Sequence, residues 1–306
     1  MVKVGILGAD TQMAGEMIRI LINHPEVDLV SLFAPSLLGR SISSVHHGLI
    51  GENNLFFTDK INLEDIDFLA IMQSNEIAKN VLERFPGIEN LKLVVFENDF
   101  SWEALDKDFE IGISEINRKA LVRGAKAAYI TSPVIVPVLI SLVPLAQFLL
   151  LNSDIDVEVF VPSDIMKNDD EKKEAVLIEK LLKDRQSSFN GKVNLKVVPN
   201  ELSERSEKIK ITLSCSLPIE EIEKIYDQIY DDHNFTFLTR NDVSPKEVEG
   251  TQKVIINVKK PDADTLVIES VADARLRGGA GEIVHVLNLF FGLHEKTGLR
   301  MKPSMF

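Results

Sequence analysis

The chain has 306 residues, of which 45% are hydrophobic, and it carries a formal net charge of −13 at pH 7. This length exceeds one ordinary hydrophobic core and indicates two domains. The acidic balance excludes the basic surface that attracts nucleic acids or anionic membranes, so neither is expected as a partner. A single cysteine, Cys215, excludes an internal disulfide framework and is typical of a cytoplasmic protein.

The first thirty residues predict a strand, a turn, a helix and a second strand. Residues 2–8 are short, apolar and β-branched, and residues 9–15 are small and polar. Residues 17–22 carry apolar side chains at helical spacing, and residues 28–33 form another apolar run. Such a βαβ unit is parallel and right-handed, and at the start of a chain it is typical of a doubly wound, Rossmann-type domain.

The turn after the first strand departs from the glycine fingerprint of dinucleotide-binding domains. Gly5 and Gly8 are present, but Thr11 and Ala14 stand where the next two glycines are expected. Asp10 would lie among backbone N–H groups that face a phosphate, and its negative charge would repel one. The pattern therefore favours the fold more than it favours the cofactor.

The alternation of strands and helices continues through the first half of the chain. Strands are predicted at residues 66–71, 91–96 and 127–131, and a helix is predicted at residues 75–84. The pattern extends to about residue 150.

An apolar run at residues 134–151 has the length of a membrane span. It contains Pro137 and Pro144, which interrupt a spanning helix, so the run predicts a strand end leading into a buried helix.

Adjacent histidines occur at His46 and His47, after the second strand. Neighbouring side chains on a regular element point in different directions, so this pair is a poor joint metal ligand. We expect a solvated loop or an interface here, and no metal site.

The second half alternates apolar and polar residues with period two, which is typical of a mixed or antiparallel sheet with one wet face. Strands are predicted at residues 155–161, 208–213, 254–258 and 265–271, with amphipathic helices at 171–185 and 219–230.

A glycine-rich segment, Arg-Gly-Gly-Ala-Gly at residues 277–281, precedes a helix at 282–292 that is predicted to be apolar along one face. The glycines allow close approach of another backbone or of a phosphate. Arg275 and Arg277 suit an anionic ligand, or alternatively a contact between domains.

The predicted architecture is α/β. A Rossmann-type doubly wound domain at residues 1–145 precedes an α+β domain at 146–275, and the C-terminal helix within 276–306 returns to the first domain. The sheet face of the second domain is predicted to be apolar, which favours a homo-oligomer, either a dimer or a tetramer.

Several motifs, in this order and spacing, carry a resemblance over nearly the whole chain. They are Gly5 and Gly8 followed by residues 16–21 and 23–27, then residues 112–118, 277–281, 288–293 and 297–299. Together they resemble N-acetyl-gamma-glutamyl-phosphate reductase, within the wider aspartate-semialdehyde dehydrogenase group.

The resemblance implies an NADP- or NAD-binding domain followed by a catalytic and dimerisation domain, in the biosynthesis of an amino acid, arginine. The implied chemistry needs a cysteine that forms a thioester, a histidine as acid and base, and a nicotinamide that delivers hydride. The cofactor contacts that carry over are Gly5, Gly8, Asp10, Thr11, Gln12, Met13 and Ser36. The candidate cleft residues are Glu115, Asn117, Arg118, Ser132, Pro133, Gly278 and Gly281.

The catalytic positions that the resemblance implies hold other residues. Ile135, between Pro133 and Pro137, stands where the nucleophilic cysteine should be, and its side chain cannot attack an acyl phosphate. Asn200, after Pro199, stands where the histidine should be, and an amide does not shuttle a proton near neutral pH.

Three further motifs of the family are altered. The Arg-Gly pair is absent near residues 203–206, Ala34 and Pro35 replace the Ser-Arg pair that meets a 2′-phosphate, and residues 71–74 replace a Leu-Pro-His-Gly turn. Cys215 lies in a predicted strand without a nearby base, so we expect it to be a structural thiol.

These losses favour a catalytically inactive homologue that acts by binding, either to a metabolite between the domains or to an active reductase subunit. On this hypothesis the NADP or NAD site of the family is lost as well. The alternative is an active NAD(P)-dependent oxidoreductase that acts on an aldehyde or acyl-phosphate precursor by non-covalent hydride transfer. A structural scaffold that binds no small molecule is the third hypothesis.

Overall fold

A computed structural model describes residues 1–96, 109–165, 171–201 and 203–303. The chain divides into two compact units. Met1–Ser132 and Gly279–Arg300 form the first, and Pro133–Gly278 with the chain end from Met301 forms the second. The C-terminal helix therefore belongs to the first unit, which confirms its predicted return.

The first unit is built on a six-stranded parallel sheet in the order β2-β1-β3-β4-β6-β5. Its strands are β1 Val2–Leu7, β2 Val27–Phe33, β3 Phe68–Ile71, β4 Lys92–Phe96, β5 Phe109–Ile111 and β6 Ala127–Ile130. Its helices are α1 Gln12–Leu21, α2 Glu76–Arg84, α3 Ser114–Arg123 and α7 Ala280–Phe290. Because helices cover both faces of such a sheet, β3 and β6 are buried at every residue.

The strand order places a topological switch point beside β1. The connection through α1 leads to β2 on one side of β1, whereas β3 pairs with β1 on the other side. In open α/β sheets, ligands bind at the carboxyl ends of the strands beside such a point. The segments after β1 and β3 are therefore where a ligand of the first unit is expected.

The second unit contains a six-stranded mixed sheet in the order β10-β11-β12-β9-β7-β8, and the predicted mixed sheet is confirmed. Its strands are β7 Ile155–Val161, β8 Val193–Pro199, β9 Ser206–Ser214, β10 Thr236–Thr239, β11 Val254–Lys259 and β12 Thr265–Asp273. Its helices are α4 Ile135–Gln147, α5 Glu171–Arg185 and α6 Ile219–Tyr230.

The predicted apolar run at 134–151 contains the buried helix α4, with Pro144 inside it. A proline has no N–H, so Pro144 leaves the Ile140 carbonyl without its helical donor. The hydroxyl of Tyr230 on α6 donates to that carbonyl, and the hydroxyl of Tyr226 donates to the carbonyl of Ser141. Burial raises the pKa of Tyr226, which keeps its hydroxyl protonated as a donor. None of the described helices is long and apolar enough to cross a membrane.

The exposed face of the second sheet differs from the apolar face that the sequence predicted. The apolar residues of β7 alternate into the interior, on the side covered by the unit's own helices. On the other side Glu158, Lys210 and Glu269 lie opposite one another on adjacent strands β7, β9 and β12. Such cross-strand charge pairs favour solvent, so the exposed face supplies no apolar argument for a dimer.

Some elements were not predicted. Strand β8 was not predicted, and neither were β5 and β10, which are three and four residues long and too short for a reliable alternation. Helix α3 contains a non-helical residue, Asn117 (φ −127°, ψ 19°), which interrupts its pattern. Helix α7, predicted to be apolar along one face, is buried at every residue, including the polar residues Glu282, His285 and Asn288.

Candidate functional site

The turn between β1 and α1 is tight and is held to the neighbouring strand. Gly8 has a φ of +81°, a conformation that glycine adopts at little cost. The backbone N–H groups of Gly8 and Ala9 both donate to the Phe33 carbonyl at 3.1 Å. A Cβ at Gly8 would lie 2.7 Å from the Cβ of Gln73, so the approach of the segment after β3 also requires glycine.

The residue that replaces the next glycine of the fingerprint closes the turn with its own side chain. Thr11 is the N-cap of α1, and its hydroxyl accepts the N–H of Ala14 at 3.2 Å. The same hydroxyl donates to the carbonyl of Gly8 at 3.0 Å. Thr11 therefore fills two hydrogen bonds within the turn, which is the ordinary role of an N-cap threonine. Asp10 precedes it and is partly exposed.

The Met13 side chain, on α1, contacts the start of the C-terminal helix α7. Its sulfur accepts the backbone N–H of Ala280, the first residue of α7, at 3.2 Å. Gly281, one of the candidate cleft residues, follows in the first turn of the same helix and is buried. The first turns of α1 and α7 thus meet through the Met13 side chain.

The remaining predicted cofactor contacts, Gly5, Gln12 and Ser36, lie on three different elements of the first unit. Gly5 lies inside β1, where a Cβ would come within 3.1 Å of Ile66 Cδ1, so its role includes packing. Gln12 is exposed on the first turn of α1. Ser36 is exposed in a short 3₁₀ turn after β2.

His46 packs against the same turn and is not a solvated loop residue. Its Nε2 lies 2.7 Å from the Ala9 carbonyl oxygen, and since a carbonyl only accepts, Nε2 carries the proton. A Cβ at Gly15 would lie 2.5 Å from Nδ1, so the ring covers the first turns of α1. The Nδ1 of His47 lies 3.1 Å from the Ser43 carbonyl instead, and the two histidines share no ligand.

No group of three or more His, Cys, Asp or Glu side chains within residues 1–96, 109–165, 171–201 and 203–303 is placed to hold a metal ion.

The candidate residues of α3 make contacts within the first unit. Buried Glu115 accepts a hydrogen bond from the Ser114 hydroxyl at 2.9 Å. The Asn117 amide donates to Glu110 at 3.1 Å. The Arg118 guanidinium pairs with Glu295, which lies between two of the family motifs.

Helix α7 carries a polar network along with its apolar surface. The Nε2 of His285 lies 2.9 Å from Glu295, the partner of Arg118. At the carboxyl end of the helix, the Lys92 ammonium donates to the Phe290 carbonyl and lies 4.9 Å from the centre of the Phe291 ring. Burial lowers the pKa of Lys92. A cation at a helix C-terminus is stabilising, so these contacts hold α7 to the first sheet.

His24 connects two of the family motifs, residues 23–27 and residues 288–293, through a hydrogen bond to Asn288. The Asn288 amide nitrogen donates to the carbonyls of Glu295 and Thr297, so its oxygen accepts from His24 Nε2 at 3.0 Å. The Nδ1 of His24 accepts the N–H of Glu26 at 3.3 Å, so this arrangement uses the neutral ring. Burial lowers the pKa of His24 below its ordinary value of 6.5.

We expect the free energy of unfolding to fall as pH drops below about 6.5, by at most about 1.4 kcal/mol per pH unit for this one ring. The sign follows because the unfolded chain binds the proton that folded His24 resists. Urea denaturation between pH 7 and pH 5 measures the slope for the wild type, for His24→Gln and for the control His294→Gln, which removes an exposed ring. The slope should be shallower in His24→Gln alone, and an unchanged slope in that variant would contradict the assignment.

In the second unit, the start of α4 holds the position expected for the nucleophile. Ile135 is the first residue of α4 and is 1% exposed. Ser132 and Pro133 precede it and are buried. A Cβ at Gly278 would lie 2.5 Å from the Cα of Pro133. The backbone of the glycine-rich segment therefore lies close to the backbone just before α4, as the glycines were expected to permit. An apolar side chain without reactive atoms fills this position.

Asn200, at the position expected for the acid and base, is also a structural residue. It follows β8, its N–H donates to the Val161 carbonyl at 2.7 Å, and its side-chain amide donates to the Ser206 carbonyl at 2.6 Å. Asn200 therefore joins the ends of β7, β8 and β9.

A buried carboxylate, Asp273, organises the same end of the sheet. It is fully buried at the end of β12, 2.5 Å from Arg205 Nε, and accepts the backbone N–H groups of Gly250 at 2.7 Å and Arg275 at 3.0 Å. Burial raises the pKa of the Asp273 carboxyl, and Arg205 with the N–H donors opposes that rise. Arg205, near the missing Arg-Gly pair, is thus committed to an internal ion pair.

The two arginines of the glycine-rich segment lie in different environments. Arg275 pairs with Asp164 at 2.8 Å, within the second unit. Arg277 is fully buried, and its N–H donates to the Asp273 carbonyl at 2.7 Å. The structure therefore gives Arg275 an internal partner.

Cys215 lies at the opposite end of the second sheet. It directly follows β9, is buried, and donates its N–H to the Asp264 carbonyl at 2.7 Å. Because a strand rises about 3.3 Å per residue, Cys215 lies roughly 30 Å along β9 from Ser206, the residue whose carbonyl binds the Asn200 amide. Ile135 lies at the same end of the sheet as Ser206. Asp273 pairs with Ser206, and the turn that follows Asp273 leads to Gly278. Gly278 in turn lies against Pro133, two residues before Ile135.

Comparison with known proteins gives the family. A family model described as the semialdehyde dehydrogenase NAD-binding domain matches residues 3–123. Proteins named N-acetyl-gamma-glutamyl-phosphate reductase from Parabacteroides distasonis and Phocaeicola vulgatus are 34% and 32% identical to this chain, and each alignment covers 100% of both proteins. The chain belongs to the N-acetyl-gamma-glutamyl-phosphate reductase family. The resemblance predicted from the motifs is confirmed.

Solved structures of low sequence identity share the fold of this family member. Aspartate semialdehyde dehydrogenase from Francisella tularensis superposes with a TM-score of 0.70 at 15% identity, covering 95% of this chain and 100% of that one. The Candida albicans aspartate semialdehyde dehydrogenase with NADP gives 0.68 at 14% identity, covering 95% and 98%. The predicted α/β fold class is confirmed.

Two groups of the site were not predicted from the sequence. No role was predicted for Asp273, which ends the strand before the glycine-rich segment, or for Glu295. The signal that could have found Asp273 is an acidic residue that ends a strand and precedes a glycine-rich turn, where backbone N–H groups need an acceptor.

Proposed function

We propose that this chain is a catalytically inactive member of the reductase family that acts by binding, with a regulatory role. The observation that carries the proposal is the position of Cys215, roughly 30 Å along β9 from the end of the sheet where Ile135 and Asn200 lie. A thioester mechanism needs a thiolate beside an acid and base at one place. The described structure supplies neither at the family positions.

Local packing supports the same proposal. Ile135 is 1% exposed at the start of α4, so a buried apolar contact has replaced a reactive group. Asn200 uses its amide to join strands, which gives the replacement a structural role. Substitutions that improve packing where chemistry has been lost are consistent with a retained fold and a changed role.

The binding partner follows from the family. The relatives' name places them on N-acetyl-gamma-glutamyl phosphate, an intermediate of arginine biosynthesis, so we propose a metabolite of this acyl-glutamate class or an active reductase subunit as the partner. Family membership also makes a homo-oligomer our expectation. An active NAD(P)-dependent oxidoreductase is the alternative, favoured by the retained geometry of Gly8 at φ +81°.

Turnover decides between these proposals. Purified chain, with the Parabacteroides distasonis reductase as positive control, is assayed for NADPH oxidation with N-acetyl-gamma-glutamyl phosphate. We expect no turnover above background. Turnover that survives Cys215→Ser would establish the alternative, and turnover abolished by Cys215→Ser would overturn the argument from the position of Cys215.

Binding is measured separately by thermal denaturation with N-acetylglutamate and by co-purification with an active reductase. A ligand at one hundred times its dissociation constant should stabilise the chain by about 2.7 kcal/mol. Failure of both experiments would leave the scaffold hypothesis and contradict a binding role.

A further inference from the structure

A dinucleotide site of this fold places a pyrophosphate at the turn between the first strand and the first helix. Glycines there let the phosphate oxygens approach backbone N–H groups, and the helix N-terminus favours negative charge. Two requirements follow: the helix donors must be open to the ligand, and the turn must hold no competing negative charge.

The described turn falls short of both requirements, because one helix donor is already engaged and the turn contains an acidic residue. The Thr11 hydroxyl already accepts the Ala14 N–H at 3.2 Å and is itself bound to the Gly8 carbonyl at 3.0 Å. Its β-branched side chain stands where the fingerprint has only a hydrogen atom. Asp10, immediately before it and partly exposed, adds a negative charge to the turn that a pyrophosphate, itself negative, would occupy.

The neighbouring positions give no compensation. At the end of β2, where a ribose 2′-oxygen is normally recognised, Ala34 is buried and its N–H donates to the Thr58 carbonyl at 3.0 Å. Pro35 follows without an N–H or a polar side chain. At the start of α7, the Ala280 N–H is taken by the sulfur of Met13.

We infer that Asp10 and Thr11 close the turn between β1 and α1 to the pyrophosphate of NAD and NADP. The Rossmann fold is retained, and its first turn is completed by its own side chains. This inference goes further than the proposed function, because loss of covalent catalysis does not by itself require loss of the cofactor.

The test is a calorimetric titration with NADPH of the wild type and of the double variant Asp10→Asn, Thr11→Gly. Replacing an N-cap threonine by glycine costs only a few tenths of a kcal/mol, so the variant should fold. The matched control is Asp28→Asn, which removes an exposed acid of β2 and changes the net charge equally. Circular dichroism verifies the fold of all three proteins.

We expect no heat of binding for the wild type or for Asp28→Asn at roughly 1 mM NADPH, and at least about a tenfold gain in affinity for the double variant, the size of one removed like-charge contact. Micromolar binding by the wild type would overturn the inference. So would a double variant that gains nothing, or a control that gains as much. Wild-type binding without turnover would overturn this inference and leave the proposed function standing.

Discussion

Asp273→Ala is expected to lower the free energy of unfolding of the second unit by about 3–5 kcal/mol. The substitution removes a fully buried carboxylate and leaves the guanidinium of Arg205, only partly exposed, without its 2.5 Å partner. It also leaves the N–H groups of Gly250 and Arg275 without their acceptor. Breaking one side of a buried pair costs far more than the pair contributes, because the remaining charge stays desolvated.

Urea denaturation followed by circular dichroism measures this loss. The matched control is Asp242→Ala, which removes an exposed carboxylate that lies 2.5 Å from Lys259, and little change is expected because water screens such a pair. The double variant Asp273→Ala, Arg205→Met should be more stable than Asp273→Ala alone, since it also removes the cation that faced the deleted carboxylate. A loss for Asp273→Ala as small as that for the control would contradict the buried-pair account.

The fold could be predicted from the sequence because its signals are local. Apolar runs of four to seven residues marked strands β1, β2, β3 and β4, and period two marked β7, β9, β11 and β12. The return of the C-terminal helix was predicted from its apolar face, and the family resemblance implies it as well. Three strands were missed, β5, β8 and β10, and the pairing of each is decided by neighbours distant in the sequence.

The candidate site could be predicted only in part, because its contacts join residues that no local pattern connects. Asn288 and His24 are 264 positions apart, and Asp273 and Arg205 are 68 apart. The sequence predicts that Ile135 and Asn200 depart from the family, but the hydrogen bonds of the Asn200 amide depend on where β7, β8 and β9 end. The N-cap role of Thr11 was within reach of sequence rules, since threonine before an apolar helix is a capping signal.

Gly278→Ala is expected to lower the free energy of unfolding by about 1–3 kcal/mol, the cost of overpacking a close contact. The added Cβ would lie 2.5 Å from the Cα of Pro133 and 3.1 Å from its carbonyl oxygen. Backbone atoms cannot rotate away as a side chain does, so the start of α4 or the glycine-rich segment must move. Since Ile135 lies two residues after Pro133, the displaced segment includes the position where the family resemblance predicts the nucleophile.

Gly87→Ala is the matched control, because a Cβ at Gly87 would meet nothing within 4 Å and its backbone is not in the positive-φ region. At such a position alanine stabilises through the unfolded chain, by up to about 1 kcal/mol. The two substitutions should therefore shift the urea midpoint in opposite directions. A midpoint for Gly278→Ala at or above that of the wild type would mean that the glycine-rich segment and Pro133 are not in close backbone contact. The glycine at 278 would then need an explanation other than packing, and a ligand that approaches its backbone would be the next candidate to test.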